Sequence, residues 1–246
     1  ISRWRQGASA MNRRSFSRLR WSVCINLEEC PDSLRPKRRI QLSPYSVDEE
    51  MANISPTRIK GDWDDGYALD SHIVKSRLIG YDEYGHARWD TVRTEIGELL
   101  YQLKYGGDKS AMGPIVSTVI TFLESRKWQV DLVVPVPPSI ARHFQPVATL
   151  AENLAKELKI EPCQNCVEKI KKTPGLKDVS DFNERGKLLD GAFEVNRPKI
   201  QGKRVLLLDD LYDSGATMNA VSFALRQSGK AAAVYALAIT KTRTLR

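Results

Sequence analysis

Short apolar runs without polar alternation are the clearest structural signals in the chain. They span residues 131–136, 204–208 and 232–239, and each has the length of a single strand. Apolar residues at helical spacing follow the first two runs, in helices predicted to begin near Pro146 and to span 216–228. Continuous apolar strands are buried on both faces, and the intervening helices provide the cover. The pattern therefore predicts an α/β fold with a twisted, mainly parallel sheet flanked by helices.

A different pattern precedes these runs. Residues 67–80 and 86–91 are predicted to be two strands, because polar and β-branched residues flank a turn sequence at 82–85. A helix is expected to follow, with Thr91 or Thr94 as its cap. The predicted parts of the chain are a disordered basic extension at 1–50, a hairpin-like two-stranded element at 51–92 and the main domain at 93–246.

Positive charge is concentrated near the beginning of the chain. The net charge is +8, and residues 1–40 contribute most of it, with ten Lys or Arg residues against three acidic ones. Residues 1–50 lack a periodic apolar face, so they are expected to be disordered and dispensable for folding. Their composition is typical of a transit peptide beginning at Met11, of a basic tail that contacts nucleic acid, or of a segment outside the natural protein. The last interpretation is favoured, since Met51 directly precedes the first well-patterned sequence.

The four cysteines do not complete a metal motif. Cys163 and Cys166 have the spacing of half a zinc site or of a redox pair, but Cys24 and Cys30 do not supply a matching second pair. Two small strand residues are the simpler interpretation. Because no apolar run approaches the roughly 18 residues of a membrane span, a cytoplasmic protein without membrane association is expected.

The strongest chemical signal follows the second apolar run. Asp209 and Asp210 end the predicted strand, and a loop containing Ser214, Gly215 and Thr217 leads into the next helix. In a parallel sheet such a junction lies at the carboxyl edge, where ligands bind. The glycine lets the backbone approach an anion, and the N–H groups at the helix start favour a phosphate. The two carboxylates would repel a second phosphate but suit vicinal hydroxyls or a hydrated Mg²⁺.

Two other interpretations of this junction are weaker. A P-loop nucleotide triphosphatase is not indicated, since no Gly-x-x-x-x-Gly-Lys-Ser/Thr sequence occurs. A strand–turn–helix with ordinary Asp and Ser caps would explain any one of these residues. It does not explain all of them in this order directly after four apolar residues.

The junction resembles the signature of type I phosphoribosyltransferases. Val205-Leu-Leu-Leu-Asp-Asp-Leu-Tyr-Asp-Ser-Gly-Ala-Thr217 is similar to that family's apolar residues, two acids and Thr/Ser-Gly-x-Thr loop. The resemblance covers about residues 95–241 and is closest to the ComF-like (GntX-like) members. The segments similar to that subfamily are Leu103-Lys-Tyr-Gly-Gly-Asp108, Val134-Pro-Val-Pro137 with Arg142 and Gln145, and Glu184-Arg185 with Gly191-Ala-Phe193.

The resemblance implies an enzyme that binds phosphoribosyl pyrophosphate with Mg²⁺ and transfers the phosphoribosyl group to or from a nitrogen base. Asp209 and Asp210 would hold the ribose and the metal, without a further direct metal ligand. Asp213 would be the catalytic residue, with its side chain directed at the reacting base. The remaining implied site residues are Ser214, Gly215, Ala216 and Thr217 for the phosphate, Ser139 and Arg142 for the pyrophosphate, and Lys171, Lys172 and Arg185 in a lid.

Some features depart from the ComF-like pattern or stay ambiguous. The four-cysteine zinc module that commonly begins ComF-like proteins is missing, and Asp213 stands where many relatives have Thr, as in purine-salvage enzymes of the superfamily. The acceptor base is therefore undetermined. Lys104 either meets a ligand or ends a helix favourably. His72, His86 and His143 are interpreted as surface or turn residues.

Two other classes of function are compatible with the sequence. The same site can sense a phosphoribosyl ligand or a nucleotide without turnover, in an accessory protein of DNA uptake or regulation, as the ComF-like resemblance implies. Nucleic acid can bind electrostatically through residues 1–40. A homodimer is left open.

Overall fold

The computed structural model describes residues 51–138, 144–163, 165–171 and 188–243. The predictions made for residues 1–50 lie outside these ranges. The strands are β1 (Thr57–Arg58), β2 (Asp65–Ser71), β3 (Ile73–Tyr81), β4 (Ala87–Arg93), β5 (Leu132–Pro135), β6 (Val167–Lys169), β7 (Phe193–Val195), β8 (Arg204–Tyr212) and β9 (Ala233–Lys241). The helices are α1 (Glu95–Tyr101), α2 (Met112–Arg126), α3 (Pro146–Glu157), α4 (Arg197–Ile200) and α5 (Ala216–Gln227), with a π-helical turn at Gln102–Gly106 and a 3-10 turn at Lys109–Ala111.

Five strands form the central sheet in the order β1-β2-β9-β8-β5. The strands β2, β9, β8 and β5 are parallel, and β1 runs antiparallel to β2 at the edge. The register places Leu207 of β8 opposite Val134 of β5 and Ala236 of β9. The predicted α/β fold with a mainly parallel sheet is therefore confirmed.

The strand β8 contributes to both faces of the core. Val205 and Leu207 pack on the side of α5, whereas Leu206 and Leu208 pack on the side of α1, α2 and α3. All four side chains are fully buried. Each buried leucine contributes about 1.5–3 kcal/mol, so this short apolar run anchors the strand and fixes where its polar end emerges.

One strand predicted from the sequence, at 67–80, is two strands in the structure. The chain leaves the central sheet at His72, so that β2 pairs with β9, while β3 pairs with β4 in a separate ribbon. Ala68 and Leu69 of β2 are fully buried, whereas most of β3 is exposed. The residue pattern is similar along β2 and β3, so the sequence did not predict the boundary between them. The difference in burial arises because only β2 packs against β9. The domain bounds at residues 50 and 92 stay a prediction.

The helix boundaries follow the expected signals. Thr94 caps α1: its Oγ1 accepts the N–H of Gly97 at 3.1 Å and donates to the carbonyl oxygen of Ser71 at 2.6 Å. Pro146 occupies the first turn of α3, and α5 begins directly after Gly215. Of the helices in the described ranges, none is both long and apolar enough to cross a membrane.

Strands β6 and β7 form a short antiparallel ribbon at the base of the long predicted loop. Cys163 and Cys166, just before β6, are both buried and are joined by a disulfide. Both residues lie before β6 and not in it, and the cross-link matches the redox-pair spacing better than the interpretation as two small strand residues. Among the residues that the structure describes, three or more His, Cys, Asp or Glu side chains are nowhere grouped so that they could hold a metal ion.

Candidate functional site

The candidate site lies where β8 meets α5, at the carboxyl edge of the sheet. Asp209 and Asp210 are still part of β8, which runs to Tyr212 before the loop turns into α5. Since β8 lies between β9 and β5, its end is at the middle of the parallel strands. The structure thus places both predicted acids at the sheet edge where ligands bind in such folds.

Asp209 is a partly buried acid near the end of β8. Its Oδ1 accepts the backbone N–H of Asp210 at 2.8 Å. Burial raises the pKa of Asp209 to about 8, with the neighbouring charge of Asp210 as the next largest cause. Two backbone N–H groups and the charge of Lys104 oppose that rise. The acid pair therefore tends to hold a proton near neutral pH when no other cation is present.

Asp210 is held by groups from two other elements. Its Oδ2 lies 2.7 Å from the Nζ of Lys104, which belongs to the π-helical turn after α1. Its carbonyl oxygen accepts the hydroxyl of Thr240 at 3.0 Å, from the end of β9. These contacts join the ends of β8 and β9 and the turn after α1 at one residue, with Lys104 at the carboxylate and Thr240 at the backbone.

His72 extends this cluster to the end of β2. Its Nδ1 lies 3.4 Å from the Oγ1 of Thr240, and its side chain is half-buried. Burial lowers the pKa of His72, and the positive charges of Arg93 and Lys104 lower it further. His72 lies at the bend between β2 and β3, which agrees with its interpretation as a turn residue, but its contact with this cluster was not predicted.

The other two histidines that were predicted to be surface or turn residues are His86 and His143. His86 lies in the β3–β4 turn, where its Nδ1 is 3.1 Å from the carboxylate of Asp82, which agrees with the expectation. His143 lies outside the described residues.

The loop before α5, where a phosphate is predicted to bind, is supported by aromatic side chains. Gly215 has a φ of +79°, and a Cβ atom there would lie 2.7 Å from the ring of Tyr212. The hydroxyl of Tyr212 donates to the carbonyl oxygen of Lys60 at 3.2 Å, and its ring meets Trp63 edge-on with centroids 6.5 Å apart. Only glycine fits this close approach, so the segment before β2 fixes the loop's shape.

The first turn of α5 is fixed by polar contacts. The side-chain amide of Asn219 donates to the carbonyl oxygen of Gly215 at 2.9 Å and accepts the N–H of Asp62 at 2.8 Å. The N–H of Ala216 faces the Oγ of Ser214 at 3.4 Å. Since the residue before the helix is glycine, it has no side chain to cap the first turn, whose N–H groups suit an anion.

Asp213 is exposed at the start of this loop. Its Oδ1 accepts the hydroxyl of Thr242, just beyond β9, at 2.9 Å. The carboxylate is therefore oriented by the chain segment that follows the neighbouring strand. Its assignment as the catalytic residue stays a prediction.

The predicted pyrophosphate and lid residues are described only in part. Lys171 is exposed, and its Nζ donates to the carbonyl oxygen of Asp190 at 2.8 Å across the base of the long loop. The other four, Ser139, Arg142, Lys172 and Arg185, lie outside the described residues.

A sequence signal for the missed part of the site does exist. Lys104 continues the spacing of Ile96 and Leu100, so it lies on the buried face of a helix where an apolar residue is expected. A charged residue at such a position needs a buried partner. The partner, Asp210, is more than one hundred residues away in sequence and could not be identified from the pattern.

Comparison with known proteins found resemblance in structure only. No protein-family model matches the chain, and no curated protein matches its sequence. Among solved structures, Leishmania donovani UMP synthase is 14% identical, with 68% of this chain and 27% of that chain covered and a TM-score of 0.33. The chain thus corresponds to about a quarter of that protein.

Two further solved structures are adenine phosphoribosyltransferases. The enzyme from Saccharomyces cerevisiae, complexed with an imino-altritol bisphosphate and adenine, is 14% identical, with 68% of this chain and 83% of that chain covered and a TM-score of 0.38. The enzyme from Thermoanaerobacter pseudethanolicus is 18% identical, with 67% and 95% covered and a TM-score of 0.37.

Proposed function

We propose that the protein binds phosphoribosyl pyrophosphate together with Mg²⁺ and transfers the phosphoribosyl group to or from a nitrogen base. The observation that carries this proposal is the order of groups along β8 and α5. Two partly buried acids at a strand end, Asp209 and Asp210, are followed by a glycine loop that opens a helix. The same order of residues resembles the type I phosphoribosyltransferase signature, and the ComF-like resemblance is part of this proposal.

The parts of the site would divide the ligand between them. The loop from Ser214 to Thr217 would bind the 5′-phosphate through backbone N–H groups and hydroxyls. Backbone N–H groups at the N-terminus of a helix attract anions. Asp209 and Asp210 would accept hydrogen bonds from the ribose hydroxyls. This separation is chemically consistent, because carboxylates suit hydroxyl donors and repel phosphate.

The residues present also fit a hydrated Mg²⁺. Carboxylate oxygens are the donors that this ion prefers, and Asp209 and Asp210 are adjacent and partly withdrawn from solvent. Burial and the neighbouring charge of Asp210 raise the pKa of Asp209, and a bound cation would lower it. When bound, the ion would neutralise charge on the departing pyrophosphate.

Transfer breaks the bond between C1 of the ribose and the pyrophosphate oxygen and forms a bond to a nitrogen of the base. Asp213 is the residue that we propose to accept the proton from that nitrogen. Its orientation by Thr242 would keep the carboxylate at one position during the reaction.

A second candidate function is supported by the same contact. The carboxylate of Asp213 already accepts a hydrogen bond from Thr242. This contact also agrees with a structural role for Asp213, in which it accepts no proton from a base. The protein would then sense the phosphoribosyl ligand without turnover.

Ligand binding is tested by calorimetry and thermal unfolding with phosphoribosyl pyrophosphate and Mg²⁺. Ligand at 100 times its dissociation constant is expected to raise the free energy of unfolding by about 2.7 kcal/mol. Combining Asp209→Asn with Asp210→Asn should abolish most of the binding, since ribose and metal contacts are both lost. Asp82→Asn with Glu83→Gln removes another adjacent acid pair, in an exposed turn, and should leave binding unchanged. Wild-type protein without binding at millimolar ligand would contradict the proposal.

Turnover is tested by pyrophosphate release with a panel of purine and pyrimidine bases. Asp213→Asn keeps the shape of the side chain and removes its charge, so kcat should fall about 10²–10⁴-fold while ligand affinity barely changes. Thr242→Val keeps the carboxylate and removes only the hydroxyl that orients it, so kcat should fall much less. Ligand binding by the wild type without pyrophosphate release for any base would favour the sensor.

A further inference from the structure

The ion pair between Lys104 and Asp210 lies inside the candidate site and is almost withdrawn from solvent. Its Nζ–Oδ2 distance is 2.7 Å, and the two side chains are only 15% and 19% exposed. Lys104 lies in a π-helical turn, a geometry that is frequent at functional sites. Leu103, 1% exposed, anchors that turn to the core, so the ammonium group is held at the acids rather than drifting at the surface.

The stability of the fold does not account for this pair. Burying two charges costs several kcal/mol of solvation, which a single contact only about repays. A structural ion pair in the same molecule has a different form: Arg204 contacts Asp131 through two guanidinium nitrogens, at 2.8 and 2.6 Å, near the opposite end of β8. Lysine instead gives a single point contact, through one nitrogen.

The charges around the acid pair define what Lys104 does. The charge of Lys104 acts on Asp209 as well as on Asp210 and His72. Arg93 adds a second positive charge near His72, but its guanidinium is bound to Glu98 at 3.3 Å. Lys104 is therefore the cation in direct contact with the proposed metal and ribose carboxylates, within the part of the chain that the structure describes.

We propose that Lys104 is a positioning residue that takes the place of a divalent cation at Asp210, so that metal enters the site only together with the sugar pyrophosphate. This inference rests on the proposed function. In the protein without ligand, a free divalent ion meets both the carboxylates and a fixed ammonium group that repels it. When the ion arrives with the polyanionic ligand, the same ammonium group attracts the complex as a whole.

The inference predicts two shifts of opposite sign when the charge is removed. Lys104→Met should bind Mn²⁺ alone about tenfold more tightly, because a fixed positive charge near the metal is gone. The same variant should bind phosphoribosyl pyrophosphate with Mg²⁺ about tenfold more weakly, because the complex is an anion. Free Mn²⁺ in solution is measured by electron paramagnetic resonance, and ligand binding by calorimetry.

Two companion variants make the test specific. Lys104→Arg keeps the positive charge and should restore both affinities toward the wild type. Lys109→Met removes an exposed lysine from the neighbouring 3-10 turn and should change neither. If Lys104→Met does not fold, Lys104→Gln removes the charge while keeping a polar end, and the same opposite shifts are expected.

The results separate this inference from the proposed function. Shifts of both affinities in the same direction, or no shift in a folded variant, would overturn the role of Lys104 while leaving the site intact. Wild-type protein that binds no phosphoribosyl pyrophosphate would instead remove the proposed function, and this inference with it.

Discussion

Two segments leave the carboxyl edge of the sheet, and their surroundings differ sharply. The junction between β8 and α5 is enclosed by β9, by the end of α1 and by the segment before β2. The ribbon of β3 and β4 projects from the end of β2 and pairs with no other described strand. Its large side chains Leu78, Tyr81 and Trp89 are 41%, 66% and 57% exposed. The enclosed segment carries the candidate chemistry, whereas most of the ribbon is exposed to solvent.

The comparison is instructive because the two segments contain the same local features. Each has two adjacent acids, and each has a glycine with a φ of +79°, Gly215 in the junction and Gly85 in the ribbon turn. What differs is the contact that each feature makes with the rest of the fold. Local sequence therefore sets the backbone, while enclosure sets the chemistry.

The largest expected effect separates the two glycines. Gly215→Ala should lower the free energy of unfolding by about 3 kcal/mol, from the positive φ and from the clash with the ring of Tyr212. Gly85→Ala places a side chain at the same positive φ but causes no clash, since nothing lies within 4 Å of the Cβ position. It should therefore lower the free energy of unfolding by only about 1 kcal/mol. Urea unfolding of both variants measures the difference.

Ligand binding gives a second measurement on the same pair of variants. Gly215→Ala should also weaken the binding of phosphoribosyl pyrophosphate, because displacement of Tyr212 would reshape the proposed phosphate loop. Gly85→Ala should leave this binding unchanged. Equal losses of stability in the two variants would show that the enclosure of Gly215 is unimportant.

The raised pKa of Asp209 also makes the free energy of unfolding depend on pH. Asp209 has a folded pKa of about 8, against about 3.9 for an unfolded chain. Between these values the folded state holds a proton that the unfolded state has lost. The free energy of unfolding should therefore fall as pH rises from about 4 to 8 in metal-free buffer. Asp209→Asn, measured by urea unfolding at pH 5 and pH 8, should remove most of this dependence.

The ribbon contains an acid whose effect on the pH dependence of the free energy of unfolding has the opposite sign. The pKa of Asp82 is lowered, and the largest cause is the hydrogen bond from the backbone N–H of His86. The ionised carboxylate therefore stabilises the folded state at neutral pH. That contribution is lost as pH falls below about 4, through the lowered pKa. Asp82→Asn should leave the slope between pH 5 and 8 unchanged. An equal slope in the wild type and in Asp209→Asn would show that burial does not control this acid.

The predictable part of the site was the part that is continuous in sequence. The apolar residues 205–208, the two acids and the loop glycine follow one another, so strand, edge and helix start were all indicated by local pattern. Lys104 and His72 belong to the same cluster but come from the end of α1 and the end of β2. Their alignment with Asp210 depends on strand order, which local pattern does not encode.

By itself the sequence determined the mainly parallel sheet, the starts of α3 and α5 and the position of the acid pair at a strand end, because propensity and hydrophobic period act over a few residues. The tertiary structure decided that the predicted strand at 67–80 divides between two sheets. It also decided that Lys104 meets Asp210 and that Asp209 is buried enough to hold a proton. These outcomes depend on which distant groups exclude water from a carboxylate, and solvent exclusion is a property of the packed chain rather than of any segment.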